Sequence, residues 1–401
     1  MSKLSRSELK TSLALSSVVG LRMFGLFLIL PVFAAYAARL PGATPVLVGL
    51  AIGIYGFGQM LLQVPMGWLS DRIGRRPTIS FGLLVFALGS VVAALAHGLG
   101  GIIIGRAMQG MGAVSGASQA LAADHSSDDN RSKVMAIIGI GIGLAFVLAM
   151  ILSAPVAAVS GLPGLFGLTA ILALSAIALL WWLVPAPPRH NDRAAHWKEI
   201  LRMLISPHLL VLNGSVFFMH GLMTACFVAM PMLLIRDAHI ALDRQWIMYL
   251  PVMLASALVM GALLRRVQGL AASMRLILGC ALILALSLLA FAGGGSAAWL
   301  VWAGALLFFS AFNLLEATLP SMVSRLAPAR LRGAAMGAYA TCQFGGAGFG
   351  GLLGGFGVEY LGLSGLFVGA AVVGLIWLLA LLRGQHLVLA KEPPESEHPH
   401  A

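Results

Sequence analysis

Charge is what this chain has least of. Only 10% of its 401 residues are charged, 60% are hydrophobic, and the mean hydropathy is +0.96. A soluble domain carries roughly 25% charged residues, so a soluble enzyme or binding module is excluded. Acid is scarcer still, with 14 Asp and Glu against 25 Lys and Arg. Cysteine is nearly absent. Cys226, Cys280 and Cys342 lie inside apolar runs, with neither metal-ligand spacing nor a disulfide framework, and read as small buried hydrophobes. There is no HExxH, nucleophile elbow, Walker loop or carboxylate pair. No catalytic residue, metal site or cofactor is therefore expected. A membrane enzyme and an ATP-driven pump are disfavoured.

What is present is a succession of apolar runs, each able to cross a hydrocarbon core of about 30 Å as a helix. They fall at about 12–36, 47–69, 77–97, 99–122, 134–157, 164–184, 207–235, 246–264, 275–293, 297–324, 334–360 and 364–382. The fold class is an all-α integral membrane protein of twelve transmembrane helices. The first run ends on small residues, Ala34-Ala35-Tyr36-Ala37-Ala38, but is too long for a signal peptide and reads as a retained span.

The formal charge of +11 invites a nucleic-acid reading, and the placement of the charge argues against it. Lys3, Arg6 and Lys10 precede the first span, and Arg72, Arg75 and Arg76 follow the second. Arg131 and Lys133 follow the fourth, and Arg189, Arg193, Lys198 and Arg202 the sixth. Arg265, Arg266 and Arg275 follow the eighth, Arg325, Arg330 and Arg332 the tenth, and Arg383 and Lys391 the twelfth. The alternate loops hold only Arg39, Arg236 and Arg244. This alternation is the positive-inside pattern and places both termini in the cytoplasm.

A polar stretch divides the chain into two six-helix bundles, 1–184 and 207–383, with a cytoplasmic linker at 185–206 and a tail at 384–401. Trp197, Ile200, Leu201 and Leu204 recur at helical spacing and suggest an amphipathic helix at the inner surface. In the tail, His398 and His400 read as solvated. The bundles repeat. Phe227 to Pro231 echoes Phe27 to Pro31, and Arg332 to Met336 echoes Arg131 to Met135. Gly261 to Arg266 is a worn copy of Gly67 to Arg72, with Arg265 where Asp71 stands. Such duplication is typical of transporters whose site lies between the repeats.

The tight hairpin Gly67-Trp68-Leu69-Ser70-Asp71-Arg72-Ile73-Gly74-Arg75-Arg76 packs four charges between two spans. It resembles the G-x-L-S-D-R-x-G-R-R signature of the major facilitator superfamily, and Arg106 to Gly112 resembles that family's R-x-x-Q-G-x-G motif. The resemblance covers essentially the whole chain. It is strongest to bacterial inner-membrane, twelve-span drug:proton antiporters, some of which carry a further soluble C-terminal domain. One motif departs: the fifth span has Ser153-Ala154-Pro155 where the antiporters place Gly-Pro.

The resemblance implies two pseudo-symmetric bundles that alternate access, with spans one, four, seven and ten lining a central cavity. The hairpin residues Gly67, Asp71, Arg72, Gly74, Arg75 and Arg76, with Asp124, are then a conformational latch. In it, Asp71 faces the N-terminus of span eleven while the inner side is closed. Glu316 is the one acidic residue well inside a span, and His220, Arg22 and Arg106 also lie within spans, all four on cavity-lining spans. Polar groups there are costly unless used or paired, so these four form the expected proton-coupling set. An ion pair between Glu316 and Arg22 is the structural alternative. Tyr55, Gln59, Gln63, Gln109, Asn213, Asn313 and Gln343 are the expected substrate-cavity residues. The implied function is secondary active efflux of small amphipathic or drug-like compounds, driven by the proton gradient. Proton-coupled uptake of a small metabolite or sugar is the rival, and a channel is disfavoured. The expected partners are small-molecule substrate, protons and the lipid bilayer. No nucleic acid is expected, and the protein reads as a monomer.

Overall fold

A computed structural model describes residues 4–127, 130–185, 197–328 and 331–390. Within them the chain folds as α1 (Arg6–Ala37), α2 (Pro45–Ile73), α3 (Arg75–Ala94), α4 (Leu99–Met111), α5 (Ser115–Asp124), α6 (Arg131–Leu183), α7 (Trp197–Leu204), α8 (Pro207–Arg236), α9 (Trp246–Leu264), α10 (Gly269–Ala292), α11 (Ala298–Leu326) and α12 (Arg332–Leu389). Nine of the described helices are long and apolar enough to cross a membrane.

Three departures from the expected spans have identifiable physical causes. The fourth span is broken: Gly112 leaves the helical region and the chain restarts as α5 at Ser115. Gly110 and Gly112 sit against the backbone carbonyls of Tyr55 and Gly82, an approach a side chain would block. The fifth and sixth spans run together as α6, divided only at Gly161, and the eleventh and twelfth as α12, divided only at Gly362. Both glycines have φ near +60 to +70°, a conformation L side chains rarely adopt, so one residue replaces a loop. The last helix also runs to Leu389, past the expected start of the tail at Gly384.

The linker helix appears as α7. The rest of the linker (186–196, with Arg189 and Arg193), the tail from 391 (Lys391, His398, His400), Lys3 and Arg330 lie outside the described residues.

Before the linker, α1 is stapled to both arms of α6 by hydroxyls that donate to helix carbonyls. Ser16 reaches Ile137 at 3.0 Å, Ser153 reaches Leu28 at 2.6 Å, and Thr169 reaches Gly25 at 3.0 Å. In an apolar medium such bonds join helices without unmet polar groups. Ser153 thus has packing work at the position where the antiporter motif departs. After the linker, α8 packs on both α12 arms: Gly346 and Gly350 meet its backbone, and Trp377 donates to Ser215 at 3.3 Å.

Candidate functional site

Two polar clusters lie within the spans, one in each half of the chain. In the C-terminal half, α8, α11 and the first arm of α12 bring His220, Glu316 and Gln343 together. His220 Nε2 stands 3.5 Å from Glu316 Oε2. Gln343 Nε2 lies 2.8 Å from His220 Nε2 and 3.4 Å from Glu316 Oε1. His220 Nδ1 faces the Val216 carbonyl at 3.2 Å. A carbonyl only accepts, so the proton of the neutral ring belongs on Nδ1 and Nε2 offers a lone pair. The Gln343 amide N–H donates into that lone pair, and Glu316 Oε2 has no hydrogen-bond partner. Phe312 packs edge-on against the imidazole at 5.6 Å. The Glu316 side chain is 41% exposed although it sits well inside α11, while its Oε2 is buried.

Tyr339, one turn before Gln343 on the same face of α12, adds a buried hydroxyl with no partner, within electrostatic reach of Glu316. Sequence reasoning passed over it, although the i, i+4 spacing to Gln343 was the available signal. Of the expected cavity residues in this half, Gln343 is part of the cluster. Asn313 instead donates to Ser256 at 2.9 Å, and Asn213 is buried with both amide atoms unpartnered.

The N-terminal half holds a different cluster. Arg22 and Arg106 are each 2% exposed. Arg22 donates to the Tyr55 hydroxyl at 3.0 Å, lies over Phe86, and keeps its Nε unpartnered. Arg106 donates to the carbonyls of Ala51 and Ile52 and, at 2.9 Å, to Gln109 Oε1. Its guanidinium also stacks on Tyr55 at 4.8 Å. Gln109 then donates to Ser90 at 2.7 Å, which donates to the Phe86 carbonyl. The expected four-residue coupling set is therefore divided: Glu316 and His220 meet, whereas both arginines are bound within their own half. Among the described residues neither arginine pairs with a carboxylate, so the Glu316–Arg22 ion pair is absent. Tyr55, Gln59, Gln63 and Gln109, expected on the cavity wall, are buried in this interior, Gln59 with both amide atoms unpartnered.

At the hairpin, one residue turns the chain. Gly74 takes φ +99° between α2 and α3, which glycine alone adopts freely. Arg75 pairs with Asp71 and, at 3.1 Å, with Asp124, and it also donates to Ser70. The other two arginines do not join this pair. Arg72 stacks on Trp68 at 3.9 Å, and Arg76 donates to the Trp181 carbonyl and lies over its ring. Among the described residues Asp71 has no partner on α12, and a Cβ at Gly67 would meet nothing within 4 Å.

The end of the bundle bearing Arg72, Arg75, Arg76 and Arg332 is the basic end; the other is the far end. Between α2 and the first arm of α12, contact runs from the far end to midway. Gly49, Gly53 and Gly56 lie against Gly348, Gly351 and Gly355 so closely that a Cβ on Gly351 would stand 2.6 Å from the Gly53 nitrogen. Below this seam Tyr55 meets Phe344 at 6.3 Å, and Met60 lies beside Gly345. Phe146 of α6 meets Phe309 and Phe312 of α11 across the same divide. The halves thus join at the far end, and the hairpin stands apart from α12 at the basic end.

Two bundles of membrane helices, joined along one end and each holding intramembrane polar groups, define a membrane transporter. The chain belongs to the major facilitator superfamily, whose family model matches residues 15–351. It is 38% identical to the inner membrane transport protein YajR of Escherichia coli K12, over 98% of this chain and 86% of that protein. It is 29% identical to an uncharacterized transporter of Buchnera aphidicola, over 92% of this chain and 95% of that one. Among solved structures it is similar to the human organic anion transporter MFSD10 (TM-score 0.72, 19% identity, 94% of this chain and 100% of that one). It is also similar to a bacterial homolog of the human lysosomal transporter Spinster (TM-score 0.74, 13% identity, 97% of this chain and 99% of that one). These similarities are to transporters, and the protein is not an enzyme.

Proposed function

We propose that this protein exports small amphipathic compounds across the bacterial inner membrane in exchange for protons, as a monomer with both termini in the cytoplasm. The observation that carries the reading is the His220–Glu316–Gln343 cluster, an acid and an imidazole 3.5 Å apart within the spans. One proton has two homes there. On Glu316 Oε2 it points at the His220 Nε2 lone pair. On His220 it faces a carboxylate, and Gln343 turns its amide to suit either arrangement. A site that binds one proton in a polar pocket, and is opened alternately to two sides, couples proton movement to the bundle's rocking.

The expected orientation makes the basic end cytoplasmic, so the structure corresponds to a state closed toward the periplasm. Gly67 of α2 and Gly333 of α12 stand in open space at the basic end, as two surfaces would that meet in the opposite state. In that state Asp71 reaches the N-terminus of α12 and the hairpin acts as the latch. The aromatic group Phe27, Phe146, Phe309 and Phe312, packed together across the divide between the halves, offers apolar rings to a cargo body when the halves part.

Everted inner-membrane vesicles overproducing the protein test this. With the lumen acidified by respiration, addition of ethidium as a probe amphiphile is expected to alkalinise the lumen, as cargo enters and protons leave. If a panel of amphiphiles, sugars and nucleosides leaves the gradient unchanged, or only collapses it when supplied from the lumen side, export is overturned and uptake takes its place.

A further inference from the structure

The far-end junction holds one polar contact that neither the hairpin nor the proton site accounts for. Glu359, at the far end of the first arm of α12, accepts a hydrogen bond from the backbone N–H of Val46 at 3.0 Å. Val46 lies in the first turn of α2, in the other half of the chain.

That N–H is one of the donors a helix leaves without an internal partner. The account for this turn closes as follows. Pro45 has no N–H, Thr44 accepts from Leu47 at 3.2 Å, and Val48 returns to the Thr44 carbonyl at 3.0 Å. Val46 is left, and its partner is Glu359. The carboxylate also meets the positive end of the α2 dipole. The contact sits at the mouth of the glycine seam, where a Cβ on Gly355 would stand 3.0 Å from the Val46 Cα. It therefore exists only while the two backbones touch.

We propose that Glu359 is the far-end latch of the transport cycle, a positioning residue that closes the periplasmic side by capping α2 across the two halves. It is one-sided. By the spacing of the repeat (Arg332 to Arg131), the corresponding place on α6 is Ala158, which has no group to accept a bond. The same helix pair thus has an acid on α2 at the basic end, Asp71, and an acid on α12 at the far end, Glu359. Only the second is engaged across the halves in this structure.

The test is a distance measurement on the full chain in lipid nanodiscs, with spin labels at Pro41→Cys and Leu361→Cys and the native cysteines replaced. Without cargo, Glu359→Gln and Glu359→Ala are each expected to raise the far-end-open population relative to the closed one, about 2–5-fold for Glu359→Ala and less for Gln. Val46→Pro removes the donor but keeps the acid, at a first-turn position that tolerates proline. It should shift the ratio the same way and add nothing to Glu359→Ala. An unchanged ratio in Glu359→Ala, or a lowered thermal stability with no change in ratio, overturns the proposal. So do fully additive shifts in the double variant. Because these distances are read with neither cargo nor gradient, such a failure leaves proton coupling at Glu316 standing, and the reverse also holds.

Discussion

The two halves of the chain both bury polar side chains among apolar helices, yet they do so with opposite chemistry. The N-terminal cluster is cationic and fixed: two guanidiniums whose partners are a phenol, two backbone carbonyls and an amide. The C-terminal cluster is an acid, an imidazole and an amide able to exchange one proton. Keeping the two apart has a physical reason. A guanidinium beside a buried carboxylate holds it ionised, which would remove its capacity to load and release a proton. Under the proposed proton exchange this is a division of labour, with one half supplying rigid structure and the other the titrating site.

The sharpest way to break that comparison is Glu316→Gln. The account expects complete loss of gradient-driven accumulation with normal folding and retained downhill exchange, measured with ethidium in proteoliposomes. Next comes Arg106→Lys. An ammonium cannot reach the three acceptors that the guanidinium fork spans, so the protein should lose about 2 kcal/mol and several degrees of melting temperature in detergent. Arg22→Lys should cost less than Arg106→Lys, because Arg22 has one strong acceptor. Equal losses would show that the N-terminal cluster is not held by its hydrogen bonds. His220→Asn should keep transport but move its pH dependence, since the second home of the proton is removed while Glu316 remains. An unshifted pH profile would reduce His220 to packing against Phe312. The smallest effect is expected at Asp71→Asn: a change of about 2–5-fold in the ratio of the two states, favouring the one open at the basic end, by distance labelling. This is the opposite sense to Glu359→Ala.

Most of the architecture was legible in the sequence because membrane spans are written in long apolar runs and basic loops. The hairpin was legible too, Gly74 included, because its residues resemble the family signature; that Gly74 alone makes the turn emerged only from its positive φ. Glu316 and His220 stood out by the cost of placing them in a span. What could not be read was rotation about each helix axis. Arg106 lies on an expected cavity span yet turns toward the backbone of α2, and Gln59 and Gln109 turn inward as well. Gln343, by contrast, emerged from an undistinguished set to bridge acid and imidazole. The break at Gly112 was hidden because local apolarity continues across it, and its cause, close contact with Gly82, is tertiary. Glu359 went unnoticed because an acid at the end of a span looks ordinary until its partner, a backbone N–H some 300 residues away, is in view.

The most direct measurement is cargo-driven proton movement in proteoliposomes loaded with a pH-sensitive dye, comparing the wild type with Glu316→Gln and Arg22→Lys under an ethidium gradient. The account predicts proton counterflow in the wild type and in Arg22→Lys, and ethidium movement without proton counterflow in Glu316→Gln. Proton counterflow preserved in Glu316→Gln would contradict it.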